Sequence, residues 1–296
     1  MADHTLPRPR RSALYVPGDR PRALEKAAGV PADVVIPDLE DAVAPEAKAA
    51  ARANVAALIA RGGYPGKELV VRVNGLASAE IAGDMVAAAG ADAVLVPKID
   101  GVEDVRRAEA GLHALAGDSR RPALWAMVET PKAILNIGAV AAEAEREGSR
   151  LSALVLGTND LAKETRVQIT ASRISLLPWL QQTVIAARAY GLVVLDGVCN
   201  RLDDPDGFLS ECRQGRGLGF DGKTLIHPGQ IEAANAVYGP SDAEVAEARG
   251  VVDAFARPEN AGRGVITVEG RMTERLHLAM AERVLAVRSM IETSQP

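Results

Sequence analysis

Leu124-Trp-Ala-Met-Val-Glu-Thr-Pro131 decides the fold: an unbroken apolar run stops at a carboxylate, Glu129, and a proline. A run apolar at every position suits a parallel strand covered on both faces, and Pro131 fits the first turn of a following helix. Such a strand delivers Glu129 to the rim of a sheet or barrel. The pattern returns in Leu151-Ser-Ala-Leu-Val-Leu-Gly-Thr-Asn-Asp160, again an apolar run leading into an acid. Two carboxylates on one rim can hold a divalent cation, because hard cations take oxygen ligands and leave other positions to water and substrate. The plainer alternative is that each acid caps the helix after its strand.

Working outward, the same strand-then-helix unit recurs. Ser12 to Val16 reads as a strand, with Asp19 and Pro21 as the cap and first-turn proline of a helix reaching about Gly29. Val34 to Ile36 follows, ending in Asp38-Leu-Glu-Asp41, and Pro45 opens an alanine-rich helix that stops near Gly62. Leu69 to Val73 and Ala93 to Val96 precede Asn74 and Lys98, each followed by apolar residues at helical spacing. With Glu129 and Asp160 ending strands five and six, Leu192 to Leu195 and Gly222 to Ile226 supply seven and eight. Eight such units predict an α/β chain folded as a closed TIM (β/α)₈ barrel of roughly 250 residues. A doubly wound sheet is the alternative, but no Gly-rich dinucleotide fingerprint follows the first strand.

The expected division is a flexible tail over 1–11, the barrel over 12–228 and a C-terminal helical extension over 229–296. That extension reads as helices near 230–238 and 241–256, a Gly/Arg/Asn loop, a short apolar run at Val265 to Val268, and a last helix to about Thr293. It is suited to act as a lid over its own barrel or a neighbouring subunit's. The 296 residues carry a formal net charge of -5, so no global basic field draws nucleic acid. No secretory or membrane-spanning apolar segment is present, which predicts a cytoplasmic protein. Cys199 and Cys212 are too few for a disulfide framework or zinc site and read as packing residues.

In a barrel the C-terminal strand ends form one surface. Here they bring Asp38, Glu40, Asp41, Arg72, Asn74, Lys98, Glu129, Asn159, Asp160 and Asp196. So many acids need counter-charge, which a divalent cation and Arg72 would provide. Arg20, Arg22 and Lys26 lie around the expected first helix start, where free N–H groups suit a phosphate, although such residues are ordinarily just solvated.

Leu14-Tyr-Val-Pro-Gly-Asp-Arg-Pro21, Asp38-Leu-Glu-Asp41, Val71-Arg-Val-Asn74, Leu95-Val-Pro-Lys98, Val128-Glu-Thr-Pro131, Gly157-Thr-Asn-Asp-Leu161, Ile226-His-Pro228 and Glu269-Gly-Arg-Met272 together resemble the CitE-like branch of the HpcH/HpaI aldolase and citrate lyase superfamily. The likeness runs in order along nearly the whole chain. It implies a TIM barrel acting as a magnesium-dependent coenzyme A ester lyase, with manganese as the alternative ion, assembled as a homotrimer or a hexamer of two trimers. By the same resemblance Glu129 and Asp160 are the metal ligands, and Arg72 binds the thioester or enolate oxygen. Asp38, Glu40 and Asp41 orient metal-bound water. Pro17, Arg20, Lys98, Gly157, Thr158 and Asn159 lie near substrate or coenzyme A.

The implied reaction splits a 3-hydroxyacyl-CoA of the malyl-CoA or citramalyl-CoA type into a 2-oxo acid and an acyl-CoA by a retro-Claisen route. Where the family commonly places an aspartate after the Gly-Arg-Met motif, this chain has Glu274, read either as the general acid or as a helix N-terminal acid. Four alternatives stay open: a pyruvate-dependent aldolase, disfavoured because no histidine lies near Asp38 to Asp41, a malyl-CoA thioesterase, a carrier-dependent citrate lyase beta subunit, and a non-catalytic CoA-ester binder.

Overall fold

The computed structural model describes residues 8–116 and 122–294. Eight strands form one closed parallel barrel in chain order: β1 Ser12–Pro17, β2 Val34–Asp38, β3 Glu68–Arg72, β4 Ala93–Val96, β5 Ala123–Val128, β6 Leu151–Leu156, β7 Val193–Asp196 and β8 Gly222–Leu225. Between and after them run helices α1 Pro21–Lys26, α2 Lys48–Ala60, α3 Ile81–Ala88, α4 Val102–Ala116, α5 Pro131–Ala142, α6 Thr158–Thr165, α7 Leu177–Ala189 and α8 Pro205–Leu218. This is the TIM barrel that the eight strand–helix units predict.

Alternate side chains of the strands fill the interior, as closure of a small barrel requires. Ala13, Ile36, Val70, Leu95, Trp125, Met127, Val155 and Leu195 pack there as one buried cluster. The opposite end is closed by Arg10, whose guanidinium lies 5.3 Å from the centre of the Trp125 ring and pairs with Glu68 at 2.5 Å. Arg11 likewise binds Asp33 at 2.7 Å. Arg10 and Arg11, which end the segment expected to be a flexible tail, are therefore fixed to the barrel, while residues 1–7 of it lie outside the described residues.

The first helix starts at Pro21 and its helical turns reach Gly29 as expected, but its cap differs. α1 spans only six residues before a single 3₁₀ turn, and its N-cap is Arg20 with no capping side-chain bond. Asp19 therefore does not cap it, and one of its carboxylate oxygens is buried without a partner among the described residues.

The compact unit around the barrel runs from Arg10 to Asn235, past the expected boundary at 228. A second unit takes over from Ala236. It holds the end of α9 (Ile231–Tyr238), α10 (Asp242–Ala256), an antiparallel hairpin of β9 (Val265–Val268) and β10 (Arg271–Glu274), and α11 (Arg275–Ser294). α10 opens on a reciprocal capping box between Ser241 and Glu244. Among the described residues no helix is long and apolar enough to cross a membrane.

Candidate active site

Strand register assembles the first half of the mouth. Pro17 on β1 stands level with Asp38 on β2, and Asp38 with Arg72 on β3. The Arg72 guanidinium grips Asp38 with two parallel bonds, Nε to Oδ1 at 2.7 Å and Nη2 to Oδ2 at 2.6 Å. Its Nη1 lies 3.0 Å from Glu40 Oε2 and 3.7 Å from Asp41. Asp38 also accepts the backbone N–H groups of Glu40 and Ala42, which folds the acidic loop around it. Burial pulls the Arg72 pKa down, but Asp38 more than reverses this and holds it well above the ordinary arginine value. Arg72 is thus a permanent buried cation, paired rather than solvated.

Lys98 joins this half to the next. Its Nζ bonds Glu40 at 2.9 Å, while its backbone N–H donates to Glu129 Oε1 at 2.9 Å. That second bond is made from a left-handed backbone, φ 56° at Lys98, a conformation costly for a residue with a Cβ. Despite its two cations, burial leaves the Glu40 carboxyl raised above the usual range.

Glu129 follows β5 directly and is 1% exposed. It does not cap α5: that role belongs to Thr130, whose hydroxyl accepts from Ala133 N. Its second oxygen, Oε2, is buried with no hydrogen-bond partner among the described residues. Burial, then the charges of Glu40 and Asp160, push the Glu129 pKa up to about 8. Gly157, after β6, makes room for it, because a Cβ there would collide with the Glu129 side chain and lie 2.6 Å from Oε2. Asp160 is in the first turn of α6, half-buried, and does not cap that helix either.

This donor set fits a divalent cation. A buried carboxylate with a free oxygen stands beside a second acid, and their mutual repulsion is what a cation would relieve. Glu129 and Asp160 are two oxygen donors that could hold an ion keeping its other positions for water and substrate, the habit of magnesium. Beside Glu40 and Lys98 opens a pocket of about 650 Å³ between the loops after β2, β3 and β4, also lined by Lys48, Asn74 and Arg107.

The remaining expected residues are more scattered. Thr158 is buried at the start of α6, and exposed Asn159 pairs with Asn200 at 2.8 Å. Pro17 lies at the end of β1, whereas Arg20 is exposed. Glu274 ends β10 in the second unit, and its backbone N–H donates to His277 Nδ1 at 2.9 Å.

Asp196 is a correction. It ends β7, but it is sealed in a buried network with Arg173 (2.8 Å), Lys223 (3.0 Å) and, through Lys223, Glu211 (2.7 Å). Against the upward push of burial, Lys223 and Arg173 hold its carboxyl below the usual range. It braces β7 against β8 and offers nothing to a ligand.

Comparison with known proteins follows the same outline. The model of the HpcH/HpaI aldolase/citrate lyase family matches residues 11–228. The (3S)-malyl-CoA thioesterase of Cereibacter sphaeroides is 44% identical over 280 residues, 94% of each chain. The L-malyl-CoA/beta-methylmalyl-CoA lyase of the same organism is 32% identical over 96% of each chain. Among solved structures, CitE from Mycobacterium tuberculosis in complex with magnesium, acetoacetate and coenzyme A superposes with a TM-score of 0.72 at 30% identity, covering 94% of this chain and 97% of that one.

Proposed function

The chain belongs to the HpcH/HpaI aldolase/citrate lyase family, in its CitE-like branch, and from that premise we propose that it is a magnesium-dependent enzyme acting on a coenzyme A thioester of the malyl-CoA type. The observation that carries this reading is the buried Glu129 oxygen without a partner, beside Asp160 and across the mouth from a fixed Arg72. Magnesium held by Glu129 and Asp160 would supply Lewis-acid polarisation of the substrate's hydroxyl and carboxylate oxygens.

In the first reading the bond between C2 and C3 of the acyl chain breaks. The C3 hydroxyl loses its proton and becomes the carbonyl of a 2-oxo acid, and the bonding pair passes to C2 as the enolate of the acyl-CoA. Arg72 gives the enolate oxygen a cation already oriented by Asp38, so no side chain has to reorganise as charge develops. Glu40, tied to both Arg72 and Lys98, keeps that cation facing the mouth. A proton returned to C2 completes the cleavage, and Glu274 is the proposed donor, supplied from a second copy of the chain in a homotrimer or hexamer.

The second reading, hydrolysis of the thioester in the same site, is favoured by the 44% identity to a thioesterase against 32% to a lyase. Incubating the protein with malyl-CoA and citramalyl-CoA, with and without magnesium, while following 2-oxo acid and free CoA thiol separates the two. Oxo acid without thiol supports cleavage of the carbon chain, and thiol without oxo acid supports hydrolysis. Neither product, with CoA-ester binding intact, points instead to a carrier-dependent citrate lyase beta subunit or a non-catalytic binder.

A further inference from the structure

Tyr15 is a residue of the mouth that the strand pattern conceals. It lies in β1 and packs against the barrel core. Its ring carries Arg72, whose guanidinium carbon is 4.8 Å from the ring centre. Its hydroxyl oxygen is buried and has no hydrogen-bond partner among the described residues. Burial raises the phenol's pKa against the pull of Arg72, and Asp38, Glu129 and Glu40 raise it further, so the hydroxyl keeps its proton. Buried hydroxyls are ordinarily satisfied, and an exception calls for an explanation. Phenylalanine would fill the same space and carry the same guanidinium without burying an unpaired O–H.

We propose that the Tyr15 hydroxyl is a second donor, beside Arg72, to the thioester oxygen of the bound substrate. The inference rests on the CoA-thioester reading above. Placement supports it: Tyr15 and Arg72 stand on β1 and β3, while Glu129 and Asp160 follow β5 and β6, on the far side of the closed barrel. A substrate whose hydroxyl and carboxylate meet an ion held by the two acids would extend its thioester toward β1 and β3. Arg72 already gives Nε and Nη2 to Asp38 and turns Nη1 to Glu40, which leaves it few N–H groups for a ligand. A neutral O–H adds a hydrogen bond that strengthens as the oxygen gains negative charge.

The test compares Tyr15→Phe with the wild-type protein in the melting temperature of the ligand-free chain and in kcat and KM for malyl-CoA with magnesium. The melting temperature should stay level or rise, because an unpaired buried hydroxyl is removed. kcat should fall about 100-fold, as on loss of one oxyanion donor, with KM changed less than about threefold. A lower melting temperature with unchanged kcat would assign the hydroxyl to the fold and overturn the proposal. A kcat within about twofold of wild type overturns it whatever the melting temperature. An active wild-type enzyme beside an equally active Tyr15→Phe sinks this inference alone, whereas an inert wild-type protein sinks the functional reading and this inference together.

Discussion

Two clusters of buried charge stand at the strand ends of this barrel, and they are finished differently. On β7 and β8, Arg173 and Lys223 meet Asp196 and Glu211, and the Arg173 fork is also taken by Gln214. Positive and negative groups balance there. Across the barrel Arg72 and Lys98 face Asp38, Glu40 and Glu129, with Asp160 beyond, so acids exceed cations, and oxygens of Glu129 and Tyr15 are buried with no partner among the described residues. A closed network holds structure, whereas one with unspent donors and acceptors is arranged for something that binds.

The sharpest way to break the comparison is to remove the open cluster's central carboxylate. Glu129→Gln should lower magnesium-dependent turnover by a factor on the order of 10³ or more, measured as product formation at saturating ion. It should not unfold the barrel. An acid with a folded pKa of about 8 against 4.5 for the free group stabilises the ligand-free fold fully below pH 4.5, and that contribution is lost as pH rises through 8. The amide does not ionise, so thermal melts of the variant should show this pH dependence flattened. Intact turnover in Glu129→Gln would erase the distinction between the clusters.

The closed cluster should answer in stability. Lys223→Met strands Asp196 and Glu211 beside a single arginine and should cost about 3–5 kcal/mol in urea unfolding, the usual result of breaking a buried ion network from one side. A neutral result would mean that this network is not closed as described. A smaller effect sharpens the boundary between fold and site. Gly157→Ala forces a Cβ against Glu129 and should destabilise by about 1–3 kcal/mol through overpacking, with magnesium affinity falling alongside. Unchanged affinity would separate Gly157 from the ion's environment.

Much of this arrangement could be read from the chain. Most barrel strands are apolar runs, and the rim positions of Glu129 and Asp160 were legible because one directly follows such a run and the other comes within the first helical turn after one. Asp196 satisfies the same rule and was misread, since its partners come from a left-handed loop residue, Arg173, from α8 and from β8. No local pattern announces that meeting. Tyr15 was hidden for the opposite reason, as an aromatic residue in a strand gives no sign that its hydroxyl will lack a partner. The α1 start at Pro21 was legible from the proline itself, whereas the Asp19 cap was not used, because Arg20 takes the N-cap position. The β9–β10 hairpin turns at Glu269-Gly270, both with positive φ, where the usual Asn-Gly or Asp-Gly marker is absent and only the glycine signals a turn.

On the proposed reading, Glu129 is the carboxyl whose proton a bound magnesium ion displaces. Titrating magnesium into the ligand-free protein at pH 7, in two buffers of different ionisation enthalpy, measures that directly. With a pKa of about 8, Glu129 is mostly protonated at pH 7, so binding should release close to one proton and strengthen as pH rises toward 8. Glu129→Gln should bind weakly and release none. Tight binding with no proton released, unaltered by Glu129→Gln, would contradict it.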